Sequence, residues 1–133
     1  MNANVSNTAV LAGRILLGAI FMLSGFGKIT GYEGTAGYMA SKGMPMVNLL
    51  LPAAIAVELG GGLLLAIGLK ARWAALAIFL FLIPTTLVFH AFWGIDPKEA
   101  ATQQINFLKN LAIMGGMLMV FAHGPGRYSL DKS

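Results

Sequence analysis

Four apolar stretches recur along the chain, each close to the ~20 residues an α-helix needs to cross a hydrocarbon core of ~30 Å. The pattern predicts spans over about residues 8–27, 47–68, 73–92 and 105–122. The first ends at Lys28-Ile29-Thr30-Gly31, where a charge and a glycine coincide as a helix stop. Residues 32–46 mix glycines and Pro45 with Tyr38, Met39 and Met44, which predicts a short amphipathic piece at the membrane interface rather than a flexible linker. The second span holds Pro52 in its first turns, where a missing N–H costs least, and Gly60-Gly61-Gly62 in its middle, which lets another backbone approach closely. A tight turn over residues 68–72 leads to the third span, where Pro84 should kink the helix and free the carbonyl of Leu80. A polar segment over residues 93–104 precedes the fourth span, and a Gly/Pro turn with a short polar end follows it. Connections this short join neighbours, so the expected fold is all-α, a transmembrane antiparallel four-helix bundle forming a single domain over residues 1–133.

Composition agrees with that reading and narrows the chemistry. Hydrophobic residues make up 57% of the chain and charged residues 11%, against about 25% charged in an ordinary soluble domain. Little chain is left for a soluble catalytic domain. Nine Lys and Arg against five Asp and Glu give a net charge of +4, but there is no basic run for a polyanion, so nucleic acid is not an expected partner. The cations bear on orientation instead. Lys70, Arg72, Arg127 and Lys132 share the side of the two termini, against Lys28, Lys42 and Lys98 opposite, which places both termini in the cytoplasm of a bacterial cell with a multi-pass inner-membrane topology. The amino terminus lacks a basic region ahead of a long apolar core, so it reads as a permanent span rather than a cleaved signal. With no cysteine, thiol exchange, iron–sulfur clusters and thiolate metal sites are excluded, and any redox role must borrow a cofactor that is not covalently bound.

The candidate chemistry lies in the polar residues inside the spans: Arg14, Lys28, Glu58, His90, Asn106, Lys109 and Asn110. A charge at membrane depth costs about 3 kcal/mol on insertion scales and is usually kept for a partner, a pathway or a ligand. Arg14 and Lys28 are nearly four whole turns apart, on one face with Gly18, Phe21 and Gly25, although either cation could simply snorkel to the surface. Glu58, near the middle of span two, is expected to form a structural ion pair with Arg14, their depths differing by about 6 Å. Asn106, Lys109 and Asn110 occupy i, i+3 and i+4 on span four, with Gln103 extending that face. His90 should sit at similar depth. His90, Asn106, Lys109 and Asn110, with Lys28 and Glu58 at the border, are therefore the expected ligand-binding pocket in the outer half. The plainer alternative is inter-helix hydrogen bonding, worth about 0.6 kcal/mol per contact. His90 and His123 lie about a membrane thickness apart, which rules out a shared bis-histidine haem, and no metal site is expected from one His and one Glu at unlike depths.

These residues carry a resemblance. Arg14 to Gly18 with Gly25 to Lys28, Glu58 to Gly62 with the turn at 68–72, His90, Lys109-Asn110-Leu111 and Gly124 to Asp131 together resemble the DoxX family of small four-span bacterial inner-membrane proteins, in order and over nearly the whole chain. The resemblance implies association with quinone-linked sulfur oxidation, membrane oxidoreductase complexes or resistance to quinones, with Arg14, Lys28, Glu58, His90 and Lys109 as the characteristic charged positions. Three functions follow as expectations. One is a redox-associated subunit binding a quinone or similar aromatic metabolite, with His90 and Lys109 on its oxygens, Glu58 exchanging protons and Phe89, Phe92 and Trp93 on the ring. Another is a scaffold or assembly factor for a partner membrane complex. The third is a small transporter, which would have to be a homo-oligomer. Membrane lipid is a partner in every case.

Overall fold

The computed structural model describes residues 2–131 and is built from helices. Four of them are long and apolar enough to cross a membrane: α1 (Ala3–Thr30), α3 (Val47–Ile67), α4 (Ala71–Phe89) and α5 (Pro97–His123). A ten-residue helix, α2 (Tyr32–Ser41), fills the segment read as an interfacial amphipathic piece. α1 packs along α3 and α4 along α5. α3 and α4 join the two pairs, and a thinner contact between α1 and α5 closes the bundle. Phe21, Leu65, Ala75, Ile78, Leu82 and Met117 form the shared core. The start of α1, residues 124–131 and the turn between α3 and α4 lie at one end, called here the terminal end. α2 and the α4–α5 connection lie at the other, the distal end.

Two helices begin earlier than hydropathy alone suggests, because caps rather than apolar residues decide where a helix starts. The Asn2 side chain accepts from the Val5 N–H at 2.8 Å, so α1 starts at Ala3 instead of near residue 8. Asp96 accepts from the Lys98 N–H at 3.0 Å, Pro97 takes the first helical position and Glu99 falls in the first turn, so most of the expected polar connection is the first turns of α5. α4 stops at Phe89, three residues short of the expected end, and continues through Pro84 as one helix.

The stripe Arg14, Gly18, Phe21 and Gly25 is the buried face of α1, as its spacing implies. Its glycines allow backbone contact with α3: a methyl carbon on Gly18 would lie 2.5 Å from the Gly62 carbonyl oxygen, and one on Gly62 would lie 2.8 Å from that of Gly18. Neither helix could come this close with a side chain there.

At the terminal end, the last carbonyls of α3 have no partner within their own helix and need donors from elsewhere. Gly68, at φ +76°, turns the chain so that its N–H and that of Leu69 both reach the Leu64 carbonyl, at 2.9 and 3.0 Å. Arg14 supplies the next donors. Its Nε bonds the Leu65 carbonyl at 2.8 Å and its Nη2 that of Ala66 at 3.2 Å. The same guanidinium bonds the carbonyls of Tyr128, at 2.9 Å, and Pro125. The tail completes the set, with the Leu130 N–H on the Ile67 carbonyl at 3.2 Å and the Asp131 N–H on that of Gly68 at 2.8 Å. Residues 124–131 are thus a docked strap, not a free polar end. Asp131 then caps α4, its two carboxylate oxygens accepting from the N–H groups of Lys70 and Ala71 at 2.6 and 2.9 Å. Lys132, counted above on the terminal side, lies outside the described residues.

The expected Arg14–Glu58 ion pair is corrected by this arrangement. Arg14 is 2% exposed and its guanidinium is taken up by four carbonyls, two of them at Leu65 and Ala66, about two helical turns beyond Glu58. Uncapped carbonyls at a helix end in a dry environment compete strongly for such a donor. Arg14→Lys keeps the charge but not the planar fork. With two of the four bonds lost at about 1.5 kcal/mol each, detergent unfolding should show a loss of about 3 kcal/mol. Asp131→Ala should cost about 1 kcal/mol as a lost cap. Unchanged unfolding of Arg14→Lys would mean the clasp does not hold the fold.

Candidate functional site

Glu58 sits in the middle of a π-helical turn, Ala56–Gly60, set into α3. Such turns are rare and concentrate at functional sites. Its side chain is 4% exposed, and the counter-charge comes from the distal end of α1: Lys28 Nζ lies 2.7 Å from Glu58 Oε1. Lys28 also donates to Ser24 Oγ at 2.8 Å, one turn back on its own helix. The Lys28–Glu58 contact is close enough for an ion pair but lies outside hydrogen-bonding directions, so Oε1 accepts no directed hydrogen bond from any described residue. A buried carboxylate oxygen with spare acceptor capacity is therefore held next to a cation that is 27% exposed.

Lys28 forms part of the wall of a cavity of about 510 Å³ at the distal end, enclosed by α1, α2, α3 and α4. That size falls within the ~300–1,000 Å³ range of small-molecule sites. The lining is largely apolar, with Lys28, Thr35, Tyr38, Thr85 and His90 as the polar groups. Tyr38 and Phe89 stack across the wall, ring centroids 5.5 Å apart and planes 24° from parallel. His90 follows the last residue of α4, and its Nδ1 lies 2.9 Å from Gln103 Oε1 of α5. Donation from Nδ1–H to that oxygen belongs to the tautomer that leaves Nε2 free as an acceptor.

The sequence-based pocket is only partly what the structure assembles. His90 and Lys28 line the cavity, and Glu58 stands behind Lys28. The span-four residues do not join them. Asn110 Nδ2 donates instead to Thr86 Oγ1 at 3.0 Å, tying α5 to α4, and Asn106 is half-buried outside the lining. Lys109 is exposed. The inward face of α5 runs through Gln103, Asn106, Asn110, Ile113 and Met117, and Lys109 is about 100° from Asn110 around the helix, off that face. Phe89 lines the cavity, whereas Phe92 and Trp93 pack with Phe107 in an edge-to-face cluster of their own. What the residue-by-residue reading missed is α2. Its Thr35, Tyr38 and Met39 complete the cavity wall, and the available signal was the apolar and aromatic content of a segment too short to span.

Comparison with known proteins agrees with the whole-chain pattern. The DoxX family profile matches residues 9–91. The inner membrane protein YqjF of Escherichia coli is 38% identical over 128 residues, covering 96% of this chain and 93% of that protein. The inner membrane protein YphA of the same organism is 34% identical over 123 residues, covering 92% and 88%. The Surfeit locus protein 4 homolog of Schizosaccharomyces pombe is 31% identical over 125 residues, which is 92% of this chain but 36% of that longer protein. No solved structure matches the chain.

Removing one member of a buried ion pair leaves the other uncompensated. Lys28→Met and Glu58→Leu should each destabilise the protein by about 3 kcal/mol, the lower end for such pairs because Lys28 is partly exposed. The double variant should recover most of the loss, read from detergent unfolding of all four proteins as a double-mutant cycle. Simple additivity of the two losses would show that the residues act separately.

Proposed function

The chain belongs to the DoxX family and is a multi-pass inner-membrane protein, and from that standing we propose that it is a redox-associated subunit whose distal cavity binds a quinone or a similar aromatic metabolite. The observation that supports this reading is the pairing, in one cavity, of an aromatic stack with two separated polar groups, Lys28 and His90. A flat ring can lie against Tyr38 and Phe89. The Lys28 ammonium donates to a carbonyl oxygen, and His90 Nε2 accepts from a ring hydroxyl. Glu58, next to Lys28, is placed to take up a proton when that ammonium turns to the ligand. Lys109, exposed on α5, drops out of the binding set.

A second reading, a scaffold for a partner membrane complex or for further copies of the chain, is favoured by α5. Among the described residues, Met117 is the only fully buried one in that 27-residue helix, so most of its surface is open to a partner. In either reading we place both termini in the cytoplasm, on the balance of cations at the two ends.

Mass spectrometry of the lipid extract from protein purified in mild detergent should show a quinone retained in proportion to protein. Calorimetric titration with decylubiquinone should show binding that Lys28→Ala and His90→Ala each weaken by about five- to tenfold, a lost hydrogen bond apiece. Lys109→Ala should bind as the parent does. Absence of both retained quinone and decylubiquinone binding, with a stoichiometric protein partner present, would favour the scaffold. Reporter fusions after Ser133 and within residues 32–46 should report opposite sides of the membrane, the first cytoplasmic.

A further inference from the structure

A second recess runs along the outside of the α3–α4 seam, away from the distal cavity's polar groups. It measures about 390 Å³, and its floor is made of residues with little or no side chain, among them Gly60, Gly61, Ala74 and Ala77. Lys70 and Trp73 stand at its terminal end. A methyl carbon on Gly60 would meet nothing within 4 Å, whereas one on Gly62, two residues on in the same helix, would lie 2.8 Å from the Gly18 carbonyl oxygen of α1.

We propose that this groove binds one anionic phospholipid, its acyl chain along Gly60 and Ala77 and its phosphate at Lys70. The surroundings of two membrane-spanning helices are hydrocarbon, so an apolar recess open on that side is filled by an acyl chain unless protein covers it. The stretch from Lys70 to Ala77 rises about 10 Å, within the ~15 Å depth of one leaflet. The head end is set by charge. Asp131 lies close by, but both of its oxygens are occupied by the backbone N–H groups of Lys70 and Ala71, and the Lys70 ammonium has no ion pair among the described residues. Trp73, 66% exposed and held edge-on against Phe121 at 6.3 Å, stands where aromatic side chains meet lipid headgroups. A second copy of the chain fits less well. A two-fold axis along the membrane normal would bring the two Lys70 side chains to one depth, face to face.

The two tryptophans make the test direct, since Trp93→Phe leaves Trp73 as the sole reporter. In phosphatidylcholine vesicles titrated with dibrominated-chain phosphatidylglycerol or, separately, dibrominated-chain phosphatidylcholine, the brominated phosphatidylglycerol should quench Trp73 at about fivefold lower content, the worth of one lysine at a lipid surface. Lys70→Ala should abolish that preference. Gly60→Leu, which fills open space, should reduce quenching by both lipids, and if it fails to fold, Lys70→Ala still decides. Equal quenching by the two lipids in the parent, or a preference unchanged in Lys70→Ala, would overturn the proposal. So would a dimer in native mass spectrometry that Gly60→Leu converts to monomer, since a second copy would then occupy the groove.

Discussion

One guanidinium carries the terminal end of this bundle. The last turn of α3 leaves carbonyls that water would satisfy in a soluble protein, and in a dry bundle another donor must reach them. Arg14 reaches those of Leu65 and Ala66 and also those of Pro125 and Tyr128, so a single side chain joins α1, α3 and the strap. From the strap, Asp131 extends the connection to the first N–H groups of α4. Arg72 lies over the end of α5, 3.5 and 3.4 Å from the carbonyls of Phe121 and Ala122. Cations at helix C-termini and an anion at an N-terminus also match the helix dipoles.

The register that Arg14 sets propagates to the site. α1 and α3 run antiparallel with Gly18 against Gly62 and Gly25 against Leu59, and this succession ends with Lys28 beside Glu58 at the π-turn. A side chain at either glycine would push the helices apart and separate the distal charges. α2 then folds beneath the distal end and brings Tyr38 to Phe89. The polar clasp at one end and the cavity at the other are two ends of one helix pair, which is how a residue far from the cavity shapes it.

Much of the fold was legible in the sequence because hydropathy and glycine spacing report directly on membrane crossing and close packing. The Arg14, Gly18, Phe21, Gly25 face was readable from its spacing alone. Helix starts were not, since Asn2 and Asp96 cap outside the apolar runs; the Asp96-Pro97-Lys98-Glu99 signature was present but outweighed by its polarity. The Arg14–Glu58 pairing failed for a physical reason: depth and opposite charge are visible in a sequence, whereas the demand of unpaired carbonyls at a helix end is not. Glu58 found the other cation of the same stripe. For the candidate site, His90, Lys28 and Glu58 were found by their cost at membrane depth, but the assumption of a pocket between spans three and four placed Lys109 and the two asparagines in it. About 100° of rotation around α5 and a hydrogen bond from the Asn110 amide to Thr86 decide otherwise. Tyr38 escaped because an aromatic residue in an interfacial segment carries no such cost.

The claim on which the functional reading rests is the location of the binding cavity between α2 and the distal end of α4. A photoactivatable azidoquinone, cross-linked in native membranes and mapped by peptide mass spectrometry, tests it most directly. Label on residues 35–39 and 84–90, displaced by excess unmodified quinone, is the expected result. Displaceable label confined to residues 105–110 of α5 would contradict it and return the site to the seam between α4 and α5.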